Sequence, residues 1–171
     1  MKIVLTGPEC SGKTTLATQL AEHYGASIAP EPAREHLQPE QVYQPSDLLQ
    51  LAATQCRLEI NASPKLQVLD TDLQNIYLWW QEKFGPAPTT LQRCYADYSS
   101  HRDRIYLLCR PDIPWEFDPL RENPRDRDRL YQLYRDDLTA RKLTYGVIEG
   151  QAGRRLDCAL EFLQQQGIEL F

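Results

Sequence analysis

Residues 7–14 read G-P-E-C-S-G-K-T, the pattern G-x-x-x-x-G-K-[ST], and they fall between an apolar run and a helical one. Lys2 to Thr6 are mostly β-branched or apolar, the composition of a strand buried on both faces. Leu16, Ala17, Leu20, Ala21 and Tyr24 then recur at helical spacing until Gly25, a helix stop. Glycines in such a turn let successive N–H groups point inward as an anion nest. The helix beginning near Lys13 adds the positive end of its dipole. Strand, glycine-bounded loop and helix together commit the chain to an α/β fold with an anion site at its first crossover.

The chemistry of that loop points to a nucleotide. Gly7, Pro8, Glu9, Cys10, Ser11, Gly12, Lys13, Thr14 and Thr15 are the expected cradle for the phosphates of ATP. Lys13 is placed to reach the β- and γ-phosphates, and the Thr14 hydroxyl to ligate Mg²⁺. ATP and Mg²⁺ are therefore the expected cofactors.

Strand and helix signals alternate along the rest of the chain, without repeats or low-complexity tracts. Ser27 to Ala29 reads as a weak second strand, and Pro39 and Pro45 bracket a loop. From Ser46 a capped helix places Leu49, Ala53, Cys56 and Ile60 on one face. A third strand ends at Asp70, a fourth is R-I-Y-L-L-C, and a fifth lies in T-Y-G-V-I-E-G. Helices are expected through L-Q-N-I-Y-L-W-W-Q-E-K-F, through T-T-L-Q-R-C-Y-A-D-Y-S-S-H and from about Arg125 to Arg141. A last amphipathic helix carries Leu156, Ala159, Leu160 and Leu163. The expectation is a P-loop NTPase fold: a five-stranded parallel sheet with helices on both faces. The 171 residues are read as a single domain with a lid segment over about 111–127. Ligands of such sheets bind beyond the carboxyl ends of the strands, where Glu31, Asp70 and Pro111 also fall.

Those strand ends supply the remaining candidates. Asp70 follows an apolar strand and is the expected partner of Thr14 in the metal shell; it also stands beside the acceptor. Asp72, one step out, could face substrate or serve as an N-cap. Glu31 could take the proton of an acceptor hydroxyl, with Arg34 three residues on to hold a polar group of the substrate. Either Glu31 or Asp72 is a candidate base. Between Arg110 and Arg141 lie seven arginines and eight acids, mostly a solvated, charge-laced helix. Within it Arg121 and Arg125 are placed where a lid would bring charge to the transferred group. Tyr77, Trp79 and Trp80 form an aromatic group after D-T-D, and Trp80 is taken as a substrate contact. Gln151 and Ala152, before the last helix, are a weaker candidate for the adenine side. The three histidines make no ligand set.

Composition narrows the partners. A net charge of −5, with five lysines against fourteen arginines, disfavours general nucleic-acid binding. No apolar run approaches the roughly 20 residues of a membrane span, and the opening residues do not read as a signal peptide. The five cysteines are scattered and form no C-x-x-C pair, which suits reduced thiols in a cytoplasmic protein. Oligomeric state is not legible.

Four segments in order, G-P-E-C-S-G-K-T-T-L, P-E-P-A-R-E-H, V-L-D-T-D and Y-L-L-C-R-P-D-I-P-W-E-F-D-P-L-R-E-N-P, resemble the ribosylnicotinamide kinase domain of bacterial NAD-biosynthesis regulators. They also resemble the related single-domain P-loop ATPase/kinase proteins. The likeness runs from Lys2 to about Gly153. It implies a nucleoside/nucleotide-kinase-like fold and transfer of the ATP γ-phosphoryl to the 5′-hydroxyl of nicotinamide riboside, with Lys13 and Thr14 on phosphate and Mg²⁺. It further implies Glu31, Arg34, Asp70 and Asp72 near the substrate and Arg121 in the lid. The regulators' DNA-binding and adenylyltransferase roles are not expected to carry over. Two other readings stay open at this point: an ATP-driven regulatory switch without a small-molecule acceptor, and a nucleoside monophosphate kinase.

Overall fold

The computed structural model describes residues 1–36, 44–60, 66–118, 121, 123, 125–151 and 153–168. Five strands, β1 (Lys2–Thr6), β2 (Ser27–Ala29), β3 (Gln67–Asp70), β4 (Arg104–Cys109) and β5 (Tyr145–Ile148), form one sheet. Its order is β2-β3-β1-β4-β5, and every pairing is parallel. The chain steps outward from β1 to β2, returns to β3, and then crosses to β4 on the other side of β1. The switch point thus lies at the carboxyl end of β1, where a crevice opens in such sheets. In register, Leu5 stands beside Asp70 and Thr6 beside Leu108, so the phosphate loop and the end of β3 emerge together.

The helices are α1 (Lys13–Tyr24), α2 (Ala33–His36), α3 (Pro45–Ile60), α4 (Leu73–Phe84), α5 (Thr89–Ser100), α6 (Arg127–Ala140) and α7 (Gly153–Gln165). Alternate residues of β1 feed opposite cores, as strand geometry requires. Ile3 and Leu5 pack with Leu16, Leu20, Ala159 and Leu163 of α1 and α7. Val4 faces the other way, toward Leu78, Tyr131, Tyr134 and Leu138 of α4 and α6. A third cluster joins α3, α4 and α5 through Leu48, Leu51, Leu73, Ile76, Leu91 and Tyr95. The sheet is therefore covered on both faces, and α4 is held from both sides. No described helix is long and apolar enough to cross a membrane.

All five strands fall where the sequence places them, but the buried face of α3 does not. Leu49 is 41% exposed, whereas Leu48, Leu51, Ala52 and Gln55 are buried. Two stripes compete on this helix, and the one that includes a glutamine wins. Leu48 and Leu51 bury against α4 and α5, and Gln55 is accommodated beside them because its Nε2 donates to the Thr71 carbonyl at 3.4 Å, a contact a purely apolar pattern cannot reveal. Pro39, Ala152 and residues 119, 120, 122 and 124 of the lid segment lie outside the described residues.

Candidate active site

Gly7 opens the phosphate loop at φ 127°. A Cβ there would lie 2.6 Å from the carbonyl oxygen of Cys109, so the loop leaves β1 only because residue 7 is glycine. Cys10 at φ 50° and Gly12 at φ 76° curl the backbone further. The Ser11 hydroxyl donates to the Pro8 carbonyl at 2.7 Å. Lys13 Nζ donates to the Gly7 and Pro8 carbonyls at 3.0 and 2.7 Å, which ties the start of α1 back across the loop. No side chain caps α1 at Gly12, so its first N–H groups keep their donor capacity toward the loop.

Pro8 to Thr15 form one end of a cleft of about 620 Å³, a size suited to a small molecule beside a phosphate chain. Glu31, Ala33 and Arg34 line it from the turn after β2. Asn75, Leu78 and Trp79 line it from α4, and Leu130, Leu133 and Tyr134 from α6. The strap leading to α6 contributes Asp118, Arg121 and Asn123. The cleft thus joins an anion-binding floor to an amphipathic chamber with aromatic and aliphatic walls.

Glu31 has a side chain only 21% exposed. Burial pushes its carboxyl above the usual range and the charge of nearby Asp70 adds to the rise, while Lys13 and Arg34 oppose it. Arg34 is held between two carboxylates, Glu31 at 3.5 Å and Asp118 at 3.2 Å, so it bridges the β2 turn to the strap. Arg121 donates to the Glu116 carbonyl at 2.6 Å and stands 3.4 Å from the Cys10 sulfur, at the loop end of the cleft. Asp70 is 3% exposed, and its Oδ1 is buried without a hydrogen-bond partner. Asp70 is not among the residues lining the cleft, but a buried carboxyl oxygen without a partner among the described residues, at the end of β3 next to the strand that leads into the phosphate loop, fits a hard divalent cation. The donor types suit Mg²⁺.

Several expectations are corrected. Asp72 does not face the cleft: it is fully buried, its Oδ1 capping α4 through the Gln74 N–H at 2.9 Å and its Oδ2 accepting from the Tyr106 hydroxyl at 2.7 Å. Trp80 packs into the α3–α4–α5 cluster and meets Phe84 edge-on at 5.4 Å; its neighbour Trp79 is the one that lines the cleft. A helix turns 100° per residue, so adjacent tryptophans cannot share a face. Arg125 is exposed and stands outside the cleft lining. Lys13, Thr14, Glu31, Arg34 and Arg121 do converge on the one cleft. Asn75 and Tyr134 were missed: the Tyr134 hydroxyl donates to Asn75 Oδ1 across the chamber, joining α6 to α4. Their helical positions follow the D-T-D segment and the charged helix, but nothing in their spacing marks them.

A family model described as an AAA domain matches residues 2–155. No curated protein matches the chain at a significant level. Among solved structures, a NadR protein in complex with NR superposes with a TM-score of 0.77 at 17% identity, covering 99% of this chain and 52% of that one. A deoxyadenosine kinase from M. mycoides gives 0.64 at 15% identity, covering 98% and 100%. A thymidylate kinase from Ehrlichia chaffeensis gives 0.65 at 16%, covering 97% and 98%. The chain spans about half the length of the NadR protein, and it has the P-loop kinase fold that these structures share.

Proposed function

The chain belongs to the AAA domain family, and from that premise we propose that it is an ATP-dependent small-molecule kinase, with the 5′-hydroxyl of nicotinamide riboside as acceptor. The observation that carries this reading is that the phosphate loop and Glu31 line the same cleft. Residues 1–171 act in it as one catalytic unit, with the strap after β4 as its cover.

Lys13 and the loop N–H groups hold the phosphates and neutralise charge on the transferred group. Thr14 and Asp70 are the residues that would hold Mg²⁺, which would supply further charge neutralisation of the phosphate oxygens. Glu31 accepts the proton of the attacking hydroxyl, a role its raised pKa suits because a stronger base draws that proton more readily. Arg121 closes the loop end of the cleft from the strap. Positioning and electrostatics account for most of phosphoryl transfer, so this short set suffices.

Support for a riboside over a nucleoside monophosphate comes from what two cations of the chamber already hold: Arg34 is engaged by Glu31 and Asp118, and Arg121 by the Glu116 carbonyl. Trp79 lines the cleft as an aromatic surface for a cationic pyridinium ring. NR is also the ligand of one similarly folded NadR protein. The test is a panel of acceptors with Mg-ATP: nicotinamide riboside, deoxyadenosine and thymidylate. Turnover of the riboside well above the other two is expected; a preference for thymidylate would overturn the choice of acceptor.

A further inference from the structure

Two arginines outside the cleft grip consecutive carbonyls of the phosphate loop. Arg127, at the start of α6, donates to the Cys10 carbonyl at 2.9 Å and to the Ile113 carbonyl at 3.1 Å. Arg155, at the start of α7, donates to the Ser11 carbonyl at 2.7 Å and to the Arg110 carbonyl at 3.3 Å. Its other nitrogen reaches Asp112 Oδ1 at 2.6 Å and the Gly150 carbonyl at 3.0 Å. Asp112 in turn accepts from the Gly150 N–H at 2.7 Å. Arg155 is only 6% exposed, and its Nε lies 3.6 Å from where a Cβ on Gly12 would stand. Neither arginine lines the cleft, so both approach the loop from behind.

Peptide geometry gives these contacts a consequence. No described peptide bond is cis, and in a trans peptide the C=O and the following N–H point in opposite directions. Holding the Cys10 carbonyl backward turns the Ser11 N–H forward. Holding the Ser11 carbonyl backward does the same for the Gly12 N–H. The nest needs successive N–H groups aimed at one point, and a glycine-bounded loop has backbone freedom to aim them elsewhere. We propose that Arg127 and Arg155 are positioning residues that preset the anion nest by fixing the Cys10–Ser11 and Ser11–Gly12 peptide planes. This rests on the reading that residues 7–14 hold nucleotide phosphates. Both arginines also hold the first residues of the strap, Asp112 and Ile113, so the loop and the strap's hinge are set by the same two side chains.

Titration calorimetry with Mg-ADP and with inorganic tripolyphosphate tests this on the wild type, R127M, R127K, R155K and D112N. R127M leaves every bond of Arg155 in place, so it provides a folded variant if changes at the buried Arg155 unfold the chain. Expected for R127M and R155K is roughly tenfold weaker binding of both probes, about 1.4 kcal/mol. R127K should recover part of the loss, because one ammonium can still hold the Cys10 carbonyl. D112N should weaken binding less than R155K does. Kinetically, the KM for ATP should rise while the KM for the acceptor stays put, a split that general loss of stability would not produce. Wild-type affinity for tripolyphosphate in folded R127M and R155K would overturn the proposal. Failure of the wild type to bind either probe would overturn the phosphate-loop reading beneath it, a distinguishable result.

Discussion

Glu31 is the residue on which the chemistry turns, and its titration gives a signed expectation. Burial holds its carboxyl above the ordinary range, so the base is lost by protonation at a higher pH than an exposed glutamate would show. The acid limb of kcat against pH should therefore fall through an apparent pKa above the model-peptide value for glutamate, and Glu31→Gln should abolish that limb while cutting kcat by about 10²-fold or more. An unchanged pH profile in the variant would move the base elsewhere. Asp72 predicts the opposite pattern. Asp72→Ala removes the cap of α4 and the buried acceptor of the Tyr106 hydroxyl, for about 2–4 kcal/mol of lost stability read by denaturant unfolding. The acceptor KM of the folded variant should not change. Both acids follow apolar strands in the sequence, and pattern alone gives each a claim on the site. What separates them is a tyrosine 34 residues downstream of Asp72, and contacts of that range leave no trace in local spacing.

Among the elements, β1, the loop and α1 were legible in extent, because Gly7 and Gly12 mark two of the three places where the loop backbone takes a positive φ; the third, at Cys10, carries no such mark. Helix α3 was legible in extent but not in orientation. Leu48, Leu51 and Ala52 pack into the cluster with α4 and Gln55 is buried beside them, whereas Leu49 and Ala53 of the competing stripe are exposed and only Cys56 packs partly inward. Leu48→Ala should cost about 2–5 kcal/mol by denaturant unfolding and Leu49→Ala less than about 0.5 kcal/mol. Equal costs would mean the helix is rotated from the orientation described. The strap after β4 illustrates another limit. Its arginines were legible as a group, yet Arg121 reaches Cys10 of the loop whereas Arg125 is exposed and outside the cleft lining, a difference that long-range contacts and not local spacing decide.

At the scale of the molecule, the sheet order places every functional strand end on one edge, and this much follows from alternating βα signals and the rule for crossovers. The chamber does not follow from them. It exists because α2, α4 and α6 converge on the phosphate loop, and the depth at which they stop is set by side-chain packing such as Tyr134 against Asn75. Ligand occupying that cleft should stabilise the whole fold. Mg-ADP at a hundred times its dissociation constant adds about 2.7 kcal/mol, a rise in Tm of roughly 5–10 °C for a chain of this size. The shift should vanish in Lys13→Ala. The most direct test of a phosphoryl transfer that joins the two ends of the cleft is ³¹P NMR of the protein with Mg-ATP and nicotinamide riboside. The account predicts one ADP for each mononucleotide formed, and neither product in Lys13→Ala; ADP released at the same rate with and without the riboside, and no phosphorylated product, would contradict it.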